Sequence, residues 1–238
     1  MDIGEIIGDA IAYPLNNIKS MILFVILGII AALLGGATVV TAAASLSTGG
    51  AIGAGLGILD IIGLIVFILI VCLIEGYGLD IIKFGIERRA DGPGIDIGRQ
   101  ISNAIKLIIV NFVYYIIPAI IIAVLGLFLK NWLIGLIGLI LAIVFALANF
   151  MAKCRLAKTD SLGEALAIGE AIGDISRVGL FKIIATVILL IIIITILLLI
   201  LGFIYNINKI IGGILFGIAI VYIEFFYNRA IGLLYSNV

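Results

Sequence analysis

Four polar side chains interrupt or border long apolar runs, and the chain's capacity for chemistry is concentrated at them: Asp60, Glu75, Asn149 and Glu224. The run Ile61–Ile74 is only 14 residues long, against the roughly 20 needed to cross a bilayer. Extending it outward takes in Asp60; extending it inward takes in Glu75. Ile210–Ile223 is again 14 residues and is followed by Glu224. A charge at the bilayer centre costs roughly 2.5–3.5 kcal/mol, so each acid must meet a partner or reach water. Ile74-Glu75-Gly76, Ala148-Asn149-Phe150 and Ile223-Glu224-Phe225 can be laid over one another. This places Glu75, Asn149 and Glu224 in equivalent positions near the inner membrane face. Converging on a pseudo-threefold axis, they would bind a cation or proton, or order Arg229 and Lys153. The plainer alternative has each carboxylate at headgroup level, snorkelling to water.

The remaining chemical inventory is sparse. The chain has no His and only two Cys, Cys72 and Cys154, which removes imidazole metal sites, His-based acid–base catalysis and CxxC chemistry. No Walker loop, GxSxG elbow, HExxH or acidic metal cluster occurs. Thr159 and Ser161 flank Asp160 ahead of Glu164, a helix N-cap pattern and not a nucleophile. The expectation is a non-enzymatic protein with no catalytic residues, no metal and no cofactor.

The elements that must position the polar residues are membrane helices. The chain is 65% hydrophobic and 12% charged, with a mean hydropathy of +1.44, and a soluble core cannot hide that excess. Six runs can be drawn, about Met21–Ala44, Gly57–Gly78, Leu107–Leu129, Trp132–Met151, Phe181–Tyr205 and Ile210–Arg229. They lack the alternation of membrane barrel strands. Of the 14 Lys and Arg, all but Lys130 and Lys209 fall on one side. By the positive-inside rule that side is cytoplasmic and holds both termini. The predicted fold is all-α and integral to the cytoplasmic membrane, with six transmembrane helices as three tight hairpins. The acidic N-terminus argues against a secretory signal, and both thiols are expected to be free and reduced.

A short segment recurs ahead of each hairpin. Asp2-Ile3-Gly4-Glu5-Ile6-Ile7-Gly8-Asp9-Ala10-Ile11 shares Asp, Ile, Gly, Ile, Ala and Ile in register with Asp96–Ile105, and Gly169–Ile175 repeats Gly4-Glu5, Ile7 and Gly8-Asp9. One single domain, 1–238, therefore reads as a threefold repeat with units of about 1–82, 95–155 and 161–238. Each unit would begin with a cytoplasmic amphipathic helix: Ile3, Ile6, Ile7, Ala10 and Ile11 share a face opposite Asp2, Glu5 and Asp9. Such helices lie in the interface or pack on the bundle; their acidic faces favour packing, with the acids turned to the cytoplasm or to each other. The ladder Gly49, Gly53, Gly57 and the pair Gly213, Gly217 predict close helix packing. Pro118 predicts a kink in the third span.

Several of these stretches together resemble a known family. They are Glu75-Gly76-Tyr77, Ile81-Ile82, Pro93, Ala104-Ile105-Lys106 and Tyr114-Tyr115-Ile116-Ile117-Pro118, then Ala152–Ala157, Leu162-Gly163-Glu164-Ala165 and Arg229–Tyr235. The pattern is similar to the domain-of-unknown-function 4013 family, small multi-pass membrane proteins found largely in methanogenic archaea. Where that family tends to have Leu-Pro-Glu-Phe-Asp, this chain has Gly92-Pro93-Gly94-Ile95-Asp96, which puts any contact of the family's nearby aromatic in doubt. The resemblance implies no firm activity. The family's distant likeness to the membrane region of some glycerophosphodiester phosphodiesterases implies a helper role.

Two functions follow. One is a scaffold, anchor or partner subunit that docks another component on its cytoplasmic amphipathic helices. The other is a small transporter or channel with a polar cluster at the cytoplasmic ends of helices 2, 4 and 6. A cavity reaching Glu75 or Glu224 would favour the second, and a solid bundle with an apolar cytoplasmic groove the first. Expected partners are the lipid bilayer and a membrane or cytoplasmic protein, a second copy of the chain included; balanced charge gives no sign of nucleic acid.

Overall fold

The computed structural model describes residues 1–31 and 58–238, so Gly49, Gly53 and Gly57 lie outside the described residues. The regular elements among the described residues are all helices, with no strand. The helices are α1 (Ile3–Asn16), α2 (Ile18–Ala31), α3 (Ile58–Ile86), α4 (Ile97–Leu125), α5 (Asn131–Thr159), α6 (Leu162–Ala165), α7 (Ile168–Val178), α8 (Leu180–Ile207) and α9 (Lys209–Tyr235). Five of them are long and apolar enough to cross a membrane, and six if the bent pair α1–α2 counts as one span. Their outer surfaces carry side chains such as Leu199, 69% exposed, and Phe203, 68% exposed. A continuous coat of that kind needs lipid for its solvent.

Local signals set the helix ends. Asp2 and Glu5 form a reciprocal capping box on α1, with Glu5 N–H donating to Asp2 Oδ1 at 2.7 Å and Asp2 N–H to Glu5 Oε2 at 2.9 Å. α1 and α2 meet at 74°. Asn17 fills the corner, its Nδ2 donating to the Tyr13 and Ala90 carbonyls. Gly179, at φ 98°, separates α7 from α8, a left-handed turn that glycine takes without strain. The second amphipathic segment behaves differently from the expectation. No turn residue follows Ile105, and α4 runs as one helix from Ile97 into the expected span, ending at Leu125. α4 also continues unbroken through Pro118, so the lost donor there does not end the helix.

Helices α3, α5 and α9 come together at one end of the bundle. Leu79, Ile82, Met151, Ala152, Cys154, Phe226, Ala230 and Ile231 form the core there, with α1 contributing Ile6 and Ala10. A second cluster stacks Phe24 of α2 on Tyr77 (4.4 Å between centroids) and Tyr77 on Phe225 (5.4 Å). α3, α5 and α9 also run about two turns past the expected span ends, reaching Ile86, Thr159 and Tyr235. At 1.5 Å per residue, a 29-residue helix such as α3 is about 43 Å long, well beyond a hydrocarbon core of ~30 Å. The overhanging turns carry most of the polar contacts.

Among the described residues, close helix approaches are made at Gly76, Gly85 and Gly232. A Cβ on Gly232 would stand 2.3 Å from the Ile82 carbonyl oxygen, and one on Gly85 2.9 Å from Gly232 Cα, so α3 and α9 cross backbone to backbone. Gly76 meets the Gln100 backbone of α4 in the same way. Among the described residues a Cβ on Gly213 meets nothing within 4 Å, and one on Gly217 meets only the Ile29 side chain at 3.9 Å. These two glycines open space where packing was expected.

Candidate functional site

Glu75 of α3 and Glu224 of α9 line one cavity, of about 530 Å3. The other walls are apolar or bare backbone: Gly28 and Ile29 of α2, Val71 and Ile74 of α3, and Gly213, Ile214, Gly217, Ile220 and Val221 of α9. Glu224 is half-buried and accepts a hydrogen bond from Asn228 Nδ2 at 2.6 Å. Gly78 makes room for that pair, since a Cβ there would lie 2.6 Å from Asn228 Nδ2 and 2.9 Å from Glu224 Oε1. Glu75 is exposed, and its charge and that of Lys153 both act on Glu224.

The predicted cluster is therefore divided. Asn149 is 4% exposed and faces a different cavity, its Nδ2 donating to Asn111 Oδ1 at 3.0 Å. Asp60 lies in α3, and its side chain is outside the described residues. The acids do not order Arg229 either, because that guanidinium is committed elsewhere.

Arg229 is 1% exposed. Its Nε and Nη2 donate to Asp9 Oδ1 and Oδ2 at 2.7 and 3.2 Å, and its Nη1 to the carbonyls of Phe84 and Arg89 at 3.2 and 2.5 Å. The guanidinium also lies over the Tyr13 ring at 4.6 Å. Asp174 of α7 is fully buried and accepts from Arg155 Nη1 (3.1 Å), Arg177 Nη1 (2.8 Å) and the Tyr235 hydroxyl (2.5 Å). Asp80 of α3 accepts from Arg99 Nε at 3.2 Å and Asn103 Nδ2 at 3.0 Å. Asp9 and Asp174 thus turn inward to arginines, where the amphipathic pattern turned them to the cytoplasm. A buried guanidinium needs a carboxylate more than an acid on a helix surface needs water. The available signal was the repeat itself, which sets Asp9 and Asp174 at one register position.

The loop between α3 and α4 closes this end. Arg89 pairs with Asp91 at 2.6 Å, and that hydrogen bond holds the exposed Asp91 carboxyl below the usual carboxylate range. Tyr77 donates to the Pro93 carbonyl at 3.1 Å, fixing the loop over the second aromatic cluster. Among the described residues no group of three Asp, Glu or Cys side chains could hold a metal ion.

The fold and its lipid-demanding surface define a multi-span, all-helical membrane protein. The family model described as "Protein of unknown function (DUF4013)" matches residues 61–206, and the chain belongs to that family. Comparison with curated proteins and with solved structures gives no match.

Proposed function

We propose that the protein binds a lipophilic organic cation in the cavity of α2, α3 and α9, as a small non-enzymatic transporter of the cytoplasmic membrane. The observation that carries this reading is a single cavity of about 530 Å3 that reaches both Glu75 and Glu224. Two carboxylates in an apolar wall favour a positive ligand, because among the described residues neither has an ion-pair partner. The remaining walls offer a hydrated metal ion few oxygens, whereas they suit hydrocarbon or aromatic groups attached to a cationic centre. Gly28, Gly213 and Gly217 keep that space open.

The scaffold reading is less well supported. The faces of α1 and α7 that were to dock a partner are used inside the molecule, through Ile6, Ala10 and Tyr13 and through Ala171 and Asp174. The three-hairpin repeat, with both termini cytoplasmic, accompanies the transport reading and draws support from the polar contacts. Asp9, Asn103 and Asp174 share one register position in the three segments. Asn103 bonds Asp80 on α3, Asp174 bonds Arg155 on α5, and Asp9 bonds Arg229 on α9. Each segment so grips the second span of the hairpin before it, and the first grips the last, closing a ring.

The test is equilibrium binding of tetraphenylphosphonium to the purified protein in nanodiscs, with Glu75→Gln, Glu224→Gln and the double variant. Each single change should weaken binding about tenfold, the equivalent of about 1.4 kcal/mol, with thermal stability retained. Equal affinity in the parent and the double variant would overturn the proposal.

A further inference from the structure

A second cavity, of about 280 Å3, opens between α4, α5, α8 and α9 and has the opposite chemistry. Its polar lining is Lys153 and Asn149 of α5, Tyr115 of α4 and Tyr227 of α9. Among the described residues Lys153 makes no ion pair, although Glu224 feels its charge. Asn149 Oδ1 is buried with no hydrogen-bond partner, in a side chain that is 4% exposed and lines the cavity. A buried acceptor left unmet is destabilising, so this atom calls for a donor from a ligand. Lys153 and the phenols call for an anion. Leu190 and Ile194 of α8 supply an apolar wall.

The order of these groups along the bundle specifies the ligand further. Lys153 lies nearest the charged end, two residues from Arg155. Asn149 is one helical turn deeper, about 6 Å at 1.5 Å per residue. Leu190 and Ile194 lead on toward the apolar middle of α8. The molecule that matches has an anionic head, then a hydroxyl, then a hydrocarbon chain. At the roughly 30 Å3 that one water occupies in the liquid, the cavity holds about nine such units. That is the size of a glycerol phosphate and not of a whole lipid, whose chain would continue along the exposed Ile191 in the bilayer. Basic pockets between membrane helices are established headgroup sites.

We propose that this cavity binds an anionic lysophospholipid, lysophosphatidic acid, with its phosphate monoester on Lys153 and the free glycerol hydroxyl donating to Asn149 Oδ1; a zwitterionic phosphocholine head carries no net charge for Lys153 to meet. A diacyl lipid has that hydroxyl esterified and leaves Asn149 unmet. The two cavities share no lining residue, and neither Glu75 nor Glu224 lines this one.

The experiment is native mass spectrometry of the full chain in detergent, titrated with 1-oleoyl lysophosphatidic acid. The comparison probes are 1-oleoyl lysophosphatidylcholine, dioleoyl phosphatidic acid, the analogue lacking the glycerol hydroxyl, and inorganic phosphate. One lysophosphatidic acid should be retained at least about tenfold more tightly than each of the other lipids, and phosphate should not compete. Lys153→Gln should abolish the preference over lysophosphatidylcholine. Asn149→Leu should abolish the preference over the deoxy analogue, and Lys182→Gln should change nothing. Equal retention of lysophosphatidic acid and lysophosphatidylcholine by the parent protein would overturn the proposal. So would displacement by phosphate alone, or an unchanged profile in Lys153→Gln. Should Lys153→Gln fail to fold, the lipid series on the parent protein still decides the matter.

Discussion

Replacing Asp9 by Asn tests the inward-facing acids most directly, because it removes one charge and almost no volume. Arg229 has 2% of its side chain exposed and Asp9 has 38%. Breaking a buried pair from one side typically costs about 3–5 kcal/mol, since the surviving charge stays where water cannot reach it. Two features place this pair at the low end. Water already screens the open flank of Asp9, and Arg229 keeps the Phe84 and Arg89 carbonyls and the Tyr13 ring. The expected loss is about 3 kcal/mol. Cys154 reports it, because its thiol is fully buried in the core that Ile6 and Ala10 complete. In a Cys72→Ser background, a small maleimide reaches Cys154 only when the bundle opens. Where reclosing outpaces labelling, the rate follows the opening equilibrium, and 3 kcal/mol corresponds to about a hundredfold. Adding Arg229→Met to Asp9→Asn should cost less than the sum of the two single changes, since the stranded charge is then gone. Labelling of Asp9→Asn within about threefold of the parent would refute the reasoning, leaving Arg229 held by its carbonyls and α1 held by packing alone.

Asp174→Asn should cost about 3 kcal/mol in denaturant titration in micelles, because the carboxylate is fully buried, while Arg155 keeps Glu164 at 2.7 Å and Arg177, 57% exposed, is already screened by water. Gly232→Ala should force α3 from α9 and lower the thermal midpoint, since its Cβ would meet the Ile82 carbonyl at 2.3 Å. Gly213→Ala should hold or raise that midpoint, with open space among the described residues and a helix propensity gain of up to about 1 kcal/mol. The Arg89 hydrogen bond depresses Asp91 below its ordinary value of 3.8. Its contribution is therefore complete above that pH and is lost as pH falls through the lower, folded value. Relative to an unfolded reference peptide, pepsin cleavage within residues 87–96 should rise as pH falls over that window in the parent, while the same ratio for Asp91→Asn should stay level.

The spans were legible because hydrocarbon thickness constrains sequence so tightly that runs like Ile183–Ile204 have one reading. The inward acids were not, and the reason lies in what periodicity encodes. The pattern of α1 says that Asp9 opposes Ile6 and Ala10; it does not say whether that opposite face meets water or another helix. The true partners of Arg155 and Arg229 did not enter the reading, because they come from segments 19 and 220 residues away. The contact between Gly85 and Gly232 was not legible for a related reason. GxxxG spacing describes one helix surface, whereas close approach belongs to a pair, and Gly85 with Gly232 are 147 residues apart in sequence. The pairing of Glu75 with Glu224 was legible, since the overlay of span ends carries it. The exclusion of Asn149 was not, because the overlay cannot show that a different helix set surrounds each position.

The fold nevertheless separates its charges in a way that argues for the cavity. Asp9, Asp80 and Asp174, at the overhanging end, each sit within 3.2 Å of an arginine nitrogen. Glu75 lies five residues before Asp80, and Glu224 five before Arg229, so both are about 7.5 Å nearer the apolar middle. At that depth an unpaired charge costs more, and an arginine would stabilise it more, than at the helix ends. Yet among the described residues no ion pair involves either glutamate. An acid that served only the fold would be expected where the other three are, matched by the cations that this bundle places there. Two acids set deeper, sharing one cavity and with no ion-pair contact among the described residues, are arranged to receive a cation from outside the chain.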